Sequence, residues 1–540
     1  MQATTNATLF QTSYSEALGA YRSRKAIHTS GLVTSSSDST FGSRARYGYP
    51  IHLHPHFEEA VIKSPDDLAV EGSGADGGRY RVLSMQVHDG FIWTSEAGGV
   101  ARQVDAESGK TVAVYRGAKA PVPAFDFLQT ERGEKLLVTG SWDKALRVYR
   151  VISATSDKVA SCDPVLVMQD AMVDFIKCVH VFTSSSQTYI ATAGSDKSIM
   201  LWDASPLITS TLEQPLKCIH QSKAHTRPIN VLTSLVGLDG ITRLYSADSM
   251  GRIIESTLSN GRLVVQREIQ GFSTAVYDLR VGWARQEVDG EPNAATPADA
   301  FVSEVREDEE GTRFKQVAEL WAASGDKSAA GYRLSPSLQP LSPASTGRTS
   351  SQPPMGTHPP LTQPFTRLAH DDFVKTILPL SLYLPFSTAV LTGGSDEHIR
   401  LFPSPPSTLP SQSYTIEAHW HELTSLSLHL RSPHSHSHSP SSTLPPPSAE
   451  EPWIISSSLD GSIRRFHLPT IPNLPKPQLL KPSVGYSSGN DAVWDQYSLP
   501  PASEVRNNGQ DTMVGGKGVM MMTEEEEAEL AELMGSNDDD

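Results

Sequence analysis

Short stretches in which apolar and polar residues alternate recur along the chain and predict β-strands. Residues 146–148 read Leu-Arg-Val, and residues 399–401 read Ile-Arg-Leu. Such alternation places the apolar side chains on one face of an extended strand. A cluster of Gly, Ser and Asp comes shortly before each stretch, and these residue types favour tight turns. The pattern therefore predicts units made of a strand, a turn and a second strand.

The units form a repeat in which an Asp is followed six positions later by an aromatic residue. The five instances are Asp143/Tyr149, Asp196/Trp202, Asp326/Tyr332, Asp396/Phe402 and Asp460/Phe466. Three of them are nearly complete, and they read GSWDKALRVYR from Gly140, AGSDKSIMLWD from Ala193 and GGSDEHIRLF from Gly393. Hairpins that recur at such a long period predict the blades of a β-propeller.

These repeats resemble the blades of the WD-repeat (WD40) family, in which Gly-His precedes strand a and Trp-Asp ends strand c. Trp202 and Asp203 reproduce the second dipeptide, and Ala-His replaces the first at residues 224–225, 369–370 and 418–419. The resemblance implies blades of four antiparallel strands. It also implies that the His, a strand-b Ser or Thr, the turn Asp and the strand-c aromatic form a buried hydrogen-bonded set.

Two blades come closest to this set, and their residues are His370, Asp396 and Phe402, and His419, Asp460 and Phe466. A further unit opens at His225, but Met250 stands at its Asp position and Ser256 at its aromatic position. With a less regular first unit that lacks the turn Asp, the chain contains seven units. They span about residues 80–117, 122–151, 173–216, 228–270, 275–334, 374–416 and 423–468.

The sequence thus predicts an all-β fold, a seven-bladed β-propeller, because a closed ring leaves few sheet edges exposed. The propeller is expected to span residues 49–470. A disordered extension at 1–48 precedes it, and a disordered linker with a short helix at 471–540 follows it. A strand from one terminus must close the ring. In the WD-repeat family an amino-terminal strand usually closes the ring, so residues 49–54 are favoured over residues 478–480.

Three low-complexity insertions interrupt the repeats at about residues 286–311, 335–364 and 431–451. The second and third are rich in Pro and Ser and poor in apolar residues. They cannot bury enough surface to offset the entropy lost on ordering. All three are therefore expected to be solvated surface loops.

The sequence offers no convincing metal, cofactor or catalytic site. His434, His436 and His438 alternate with Ser, but no Cys or carboxylate follows at the spacing of a structural zinc site. No phosphate-binding Gly loop, Gly-x-Ser-x-Gly elbow or His-Glu-x-x-His motif is present. Asp and His recur in register with the repeat, so they are expected to stabilise the blades. The chain is not expected to be an enzyme.

The carboxyl-terminal end predicts a short acidic amphipathic helix. Thr523 can cap it, and Glu526 at the third helical position completes a capping box. Leu530, Leu533 and Met534 fall on one face, with the spacing of a helix that docks into a groove. The alternative is a tail that only increases solubility, although such a tail would need no apolar stripe.

The charge distribution argues against nucleic acid as a direct partner. The formal net charge is −16, and residues 523–540 contain nine acidic residues and no basic one. Duplex binding depends largely on Lys and Arg contacts to phosphate, and the chain has no basic run. The first fifty residues lack an apolar stretch long enough for a signal peptide or membrane helix. We therefore expect a cytoplasmic or nuclear protein without a membrane partner.

In the WD-repeat family, the strand b–c turns and the loops that precede strand a open on the upper face of the ring. The residues expected to contact partners there are Trp142, Arg227, Asp371, Asp372, Trp420, His421 and Leu459. Large aromatic residues and Arg dominate interface energies, so Trp142 and Trp420 are the first candidates. The alternative is that each ring lies flat on a neighbouring loop.

The sequence favours a non-catalytic scaffold that binds protein or peptide partners on this face, with the tail helix as a second contact. One alternative is an assembly factor in a ribonucleoprotein or chromatin complex. Another is a substrate receptor of a cullin-type ubiquitin ligase, whose relatives carry Arg three residues after the strand-c aromatic. Support for that receptor is weak, because the equivalent positions hold Ile152, Ser205, Ser335, Pro405 and Pro469.

Overall fold

The computed structural model describes residues 25, 48–54, 77–152, 158–209, 215–288, 299–335, 363–403, 413–432 and 450–473. Within these ranges the chain forms thirty β-strands, one short α-helix and three 3-10 helices. The strands build seven sheets, and the first strands of successive sheets lie side by side around a ring. The fold is the seven-bladed β-propeller that the sequence predicts.

Each blade has four principal strands, named a to d from the centre of the ring outwards. In blades one to four they are β2 (Val82–His88), β3 (Phe91–Glu96), β4 (Val100–Asp105) and β5 (Thr111–Tyr115); β6 (Ala124–Gln129), β7 (Lys135–Gly140), β8 (Leu146–Arg150) and β10 (Leu166–Met168); β11 (Ile176–Ser184), β12 (Gln187–Gly194), β13 (Ile199–Asp203) and β14 (Cys218–Ser222); and β15 (Ile229–Val236), β16 (Thr242–Asp248), β17 (Ile253–Ser259) and β18 (Arg262–Ile269).

Blades five to seven follow the same plan. Their strands are β19 (Val276–Glu287), β21 (Arg313–Ser324), β22 (Ser328–Arg333) and β23 (Thr366–Ala369); β24 (Val374–Pro379), β25 (Val390–Gly394), β26 (His398–Phe402) and β27 (Tyr414–Glu417); and β28 (Leu423–Arg431), β29 (Glu451–Ser458), β30 (Ser462–His467) and β1 (Tyr49–His52). The helices are α1 (Ser205–Ile208) and the 3-10 turns Gly77–Tyr80, Leu380–Leu382 and Leu468–Asn473.

The core lies between adjacent blades. Strand b of each blade is covered on both faces, so β7 buries Leu136, Leu137 and Val138 in succession instead of alternating. Neighbouring blades meet through side chains such as Trp93 of blade one and Phe127 of blade two, whose rings pack edge to face at 4.9 Å. The apolar runs of the sequence thus become the contacts that hold the ring together.

An amino-terminal strand closes the ring, as the sequence favours. β1 pairs antiparallel with β30, with Tyr49 opposite Arg465 and His52 opposite Ser462. β1 is therefore the outer strand of a blade whose other three strands come from the far end of the chain. The competing segment at residues 478–480 lies outside the described residues.

A side-chain hydrogen bond also joins strand a of every blade to strand a of the next. Starting from blade one, the bonds are Gln86 Nε2 to Phe125 O (3.0 Å), Val181 N to Asp126 Oδ2 (2.7 Å), His180 Nε2 with Ser234 Oγ (2.9 Å), Asn230 Nδ2 to Val276 O (3.2 Å), Ile377 N to Asp278 Oδ2 (3.0 Å), Leu426 N to Thr376 Oγ1 (3.2 Å) and Met85 N to Ser425 Oγ (3.1 Å). All seven junctions of the ring have a polar link beside their apolar contact.

Blades one and two share an element that the sequence did not predict. After β8 the chain crosses back to blade one, where β9 (Ala160–Cys162) pairs in parallel with β5. It then returns to blade two as β10, which pairs with β8. Because β9 and β10 have three residues each, they are too short to produce a recognisable alternating pattern.

The first insertion is not wholly a solvated loop, which corrects the expectation for residues 286–311. β19 extends to Glu287, β20 (Arg306–Glu307) pairs with β21, and Phe301 is only 2% exposed. The buried Phe301 ring and backbone bonds to β21 together attach this polar segment to the blade.

The propeller also extends past residue 470, because Ile471 is 1% exposed. Apart from residues 25 and 48, the expected amino-terminal extension lies outside the described residues. So do nearly all of the second and third insertions, and residues 474–540 with the tail helix. Among the described residues, no helix is long and apolar enough to cross a membrane.

Candidate interaction surface on the upper face

The upper face is built from the strand b–c turns and the loops that lead into strand a, which meet at the same end of each blade. The residue before the turn Asp position donates its backbone N–H to a carbonyl of that loop in all seven blades. The bonds are Ala97 to Arg81 (3.0 Å), Trp142 to Pro121 (3.0 Å), Ser195 to Phe175 (3.0 Å), Ser249 to Pro228 (3.0 Å), Gly325 to Ala275 (2.9 Å), Ser395 to Phe373 (3.0 Å) and Leu459 to Glu422 (3.1 Å). The two loops of each blade therefore form one fixed unit.

The turns themselves share a backbone conformation. The residue after the Asp position has a positive φ in every blade, at Gly99, Lys144, Lys197, Gly251, Lys327, Glu397 and Gly461. Three of the seven are Gly, which adopts this conformation without strain. The other four are charged: Lys197 and Lys327 are exposed, Lys144 is half-buried and Glu397 is buried.

Trp142 occupies the anchored turn position of blade two. Its ring is half-buried and stacks on Phe175 of blade three, with centroids 6.0 Å apart. The indole Nε1 has no hydrogen-bond partner in the described part of the chain. Asp143, the next residue, accepts two hydrogen bonds from Arg147, at 2.9 and 2.6 Å. The indole thus lies at a rigid junction between two blades with one donor unsatisfied.

Trp420 and His421 do not present their rings at the surface, which corrects the expectation for this pair. Trp420 is 5% exposed and its ring lies 6.4 Å from that of His52 in the closing strand. His421 is 7% exposed, and its Nδ1 accepts a hydrogen bond from the backbone of Glu422. Trp420 therefore packs against the closing strand, and His421 is held within its own blade by Glu422 and Ser458.

The other upper-face residues predicted from the sequence remain accessible to different extents. Arg227 is exposed, and the Asp371 side chain is 88% exposed. Asp372 is half-buried because its carboxylate accepts a hydrogen bond from the backbone of Phe373. Leu459 is half-buried at the anchored turn position of blade seven. These residues lie on separate blades and surround the ring instead of forming one cluster.

Blades four and seven contain buried His–Asp–Ser networks. In blade seven, His419 Nδ1 lies 2.9 Å from Asp460 Oδ2, and Nε2 lies 2.9 Å from Ser456 Oγ. Burial by itself would raise the pKa of Asp460, but the His419 contact and nearby Arg464 lower it to about 2. Burial also lowers the pKa of His419, against the attraction of Asp460.

The blade-four network includes a residue that the sequence analysis missed. His225 Nδ1 lies 2.8 Å from Asp248 Oδ2, and Nε2 lies 2.8 Å from Ser246 Oγ. Asp248 stands at the end of strand b, two positions before Met250. The sequence contained this signal, because an Asp two positions before the expected one can still reach the same His.

Blade six departs from the expected set. His370 does not pair with Asp396; Arg400 Nη1 donates to His370 Nδ1 at 2.7 Å, and Arg400 Nη2 lies 2.6 Å from Asp396. Burial, followed by the Arg400 charge, lowers the pKa of His370 to about 3. Arg400 on strand c therefore binds the Asp396 carboxylate, which the expected set assigns to His370.

A cleft of about 450 Å³ opens on the lower face, between the loops of blades three, four and five. Its charged lining residues pair with each other or with neighbours: Arg267 Nε donates to Glu255 at 2.7 Å, and Arg243 Nη2 donates to Asp239 at 2.7 Å. Among the described residues, no group of three or more His, Cys, Asp or Glu is arranged to hold a metal ion.

Comparison with known proteins gives one family match. The model of the WD domain, G-beta repeat, matches residues 169–203. This segment covers strands a to c of blade three and includes Asp196 and Trp202, the most complete repeat in the sequence. No curated protein matches the chain.

Proposed function

Because this chain is a WD-repeat protein with a seven-bladed β-propeller, we propose that it is a non-catalytic scaffold that binds protein or peptide partners on its upper face. Propellers of this kind are generally protein-interaction scaffolds and typically have no catalytic role. A fold alone does not specify a partner, so the proposal depends on the side chains that the upper face presents.

The observation that carries the proposal is the sevenfold backbone bond between each b–c turn and the loop before strand a. A surface held in this way loses little conformational freedom when a partner binds, and less of the binding energy is lost to ordering. Five of the seven anchored positions hold small residues, and the other two hold the large apolar residues Trp142 and Leu459. The exposed charges of Arg227 and Asp371 would lie in the polar rim of such an interface and add specificity for a partner.

Trp142 is the first candidate for a contact residue. Its Nε1 has no acceptor within the described residues, and a buried donor left unpaired generally costs about 1–3 kcal/mol. A partner carbonyl that reaches between Trp142 and Phe175 would remove this cost while it covers the aromatic pair. Trp residues of this kind are frequent among the residues that dominate binding energy.

The acidic carboxyl-terminal helix is proposed as a second, separate contact through Leu530, Leu533 and Met534. It would bind a groove on a partner with its apolar stripe, and its glutamates favour a basic rim around that groove. This contact is proposed separately from the upper face, and termination before Thr523 removes it.

The test is affinity purification with mass spectrometry on the intact chain and three altered forms. Trp142→Ala combined with Arg227→Glu changes the upper face, termination before Thr523 removes the tail helix, and Arg262→Glu is a matched control at an exposed lower-face position. We expect one set of partners to be lost with the upper-face variant and retained by the control. Identical partner sets in all four forms would refute the scaffold proposal.

A further inference from the structure

Lys25, far outside the propeller strands in sequence, lies against the outer strands of blade six. Its Nζ is 2.5 Å from Glu397 Oε2 and 3.7 Å from Glu417 Oε1, and its side chain is completely buried. The contact joins residues 372 positions apart. An ammonium group from a distant part of the chain therefore occupies a pair of carboxylates on the propeller.

The two carboxylates are positioned by the blade itself. Glu397 is the positive-φ residue of the b–c turn, and Glu417 ends strand d, directly opposite His398. The Glu397 and Glu417 side chains are only 10% and 9% exposed. Two carboxylates held this close and this far from water repel each other, so the site favours a cation.

The neighbouring basic residues do not take the place of that cation. Arg400 is bound to Asp396 at 2.6 Å. Burial, followed by the charge of Lys25, lowers the pKa of His398 to about 4, so its ring is neutral at physiological pH. Lys25, from another segment, is the cation that lies within ion-pair distance of both carboxylates.

We infer that Glu397 and Glu417 form a lysine-binding subsite at the upper edge of blade six, which receives a lysine side chain of a protein partner and which Lys25 occupies in the free chain. The inference rests on the proposed function, because it names the chemistry of one contact on the same face. A single Nζ shared by one carboxylate from the b–c turn and one from strand d fits a compact ammonium with three donors. The planar fork of Arg would instead favour two bonds to one carboxylate.

Lys25 competes with a partner lysine for the subsite, because both would bind the same two carboxylates. Because Lys25 belongs to the same chain, its binding is intramolecular, and a partner lysine must displace it. Lys25 then acts as a substitute ligand that raises the affinity a partner needs.

The test uses a fluorescein-labelled peptide of residues 19–31, GAYRSRKAIHTSG, and the same peptide with Met in place of its Lys. Fluorescence anisotropy measures binding of both to three full-length proteins: wild type, Lys25→Met, and Lys25→Met with Glu397→Gln and Glu417→Gln. We expect the Lys25→Met protein to bind the lysine peptide at least tenfold more tightly than wild type does. It should prefer the lysine peptide over the Met peptide by a similar factor, and the triple variant should lose that preference.

Equal binding of the two peptides to the Lys25→Met protein, or equal binding of the lysine peptide to that protein and to wild type, would overturn the inference. Since Lys25→Met leaves two carboxylates close together, circular dichroism must establish that this variant folds. Lysine footprinting of the wild type provides an independent measurement. The inference requires Lys25 to resist acetylation in the free chain and to become reactive with excess peptide, and unchanged labelling would contradict it.

The peptide experiment needs no natural partner, so it can fail separately from the proposed function. If the subsite behaves as expected while the Trp142→Ala/Arg227→Glu variant retains every partner, the upper-face scaffold is refuted and the subsite stands. If that variant loses partners while the peptides show no lysine preference, the scaffold stands and Lys25 is only a structural attachment.

Discussion

The Arg465 guanidinium donates from Nη1 to the backbone carbonyl of Glu107 at 3.0 Å, and so connects the last blade to the first across 358 positions of sequence. The same nitrogen donates to the carbonyl of Ala106 at 2.8 Å. Arg464, the preceding residue, is equally buried, but none of its guanidinium nitrogens has a hydrogen-bond partner in the described part of the chain. Burial lowers the pKa of Arg464 to about 10, against the attraction of Asp460.

Replacing these two arginines by Met should affect stability to different extents. Arg465→Met removes charge-assisted hydrogen bonds across the ring junction and should lower the free energy of unfolding by about 2–4 kcal/mol. Arg464→Met removes no hydrogen bond within the described part of the chain and loses only the attraction to Asp460, so it should cost less than Arg465→Met. Urea denaturation of each variant measures both effects. A larger loss at Arg464 than at Arg465 would contradict this reading of the junction.

Stability should fall as the pH is lowered from about 6.5 towards 4.5. Burial is the largest cause that lowers the pKa of His52 and His370 to about 3 and that of His398 to about 4. The unfolded chain binds protons at these rings below about pH 6.5, whereas the folded chain does not. Folding therefore loses at most about 1.4 kcal/mol per pH unit for each ring that stays neutral in the folded chain.

Melting temperatures measured between pH 7.5 and 4.5 give this slope. His370→Asn removes one titrating ring and should make the curve shallower. A His370→Asn curve that is parallel to the wild-type curve would show that His370 titrates normally in the folded state.

The fold could be predicted because each blade carries its own local signal. The Asp-to-aromatic spacing at Asp196/Trp202 or Asp396/Phe402 encodes a turn followed by a buried strand end, and seven such units define the ring. β9 and β10 escaped prediction because each depends on a neighbouring blade for its pairing. The burial of Phe301 was also invisible, since the arginines around it come from another blade.

The upper face could be predicted only in outline. Repeat register correctly located the turn that holds Trp142, since the turn is a local structure. It could not distinguish Trp142 from Trp420, because the burial of Trp420 depends on β1, which joins blade seven from the other end of the chain. Asp248 was missed because the repeat spacing places the carboxylate at one fixed position. In the structure, any carboxylate that reaches His225 can take part in the network.

The blade-four network should make Asp248 more important than the turn Asp of blade three. Asp248 binds a buried His and also accepts bonds from the backbone of Met250 and Arg252. Asp196 accepts from the backbone and hydroxyl of Ser198. We expect Asp248→Asn to cost about 1–2 kcal/mol more than Asp196→Asn, because it also weakens the bond to the buried His225 ring. Chemical denaturation of both variants provides the comparison, and equal losses would argue against the network.

Phe301 should attach the first insertion to the propeller. Its ring lies 4.6 Å from the Arg243 guanidinium and 5.2 Å from that of Arg267, at the edge of the lower cleft. Phe301→Ala should cost about 3–5 kcal/mol, whereas Val305→Ala, at a residue 44% exposed, should change stability by less than about 0.5 kcal/mol. Limited proteolysis should cut the insertion faster only in the Phe301 variant; equal cleavage of both would show that Phe301 does not hold it.

Because β1 pairs with β30, the ring cannot close until the last blade has been synthesised. Tyr49 and Arg465, which pair in the finished ring, are 416 positions apart. At about 5–20 residues per second, a ribosome takes roughly 20–80 s to make the second after the first. During that time β1 has been made but has no partner, and the growing sheets present an open edge to other chains. A nascent chain that is released early would keep this edge open, so premature termination should produce aggregation-prone fragments instead of smaller stable propellers.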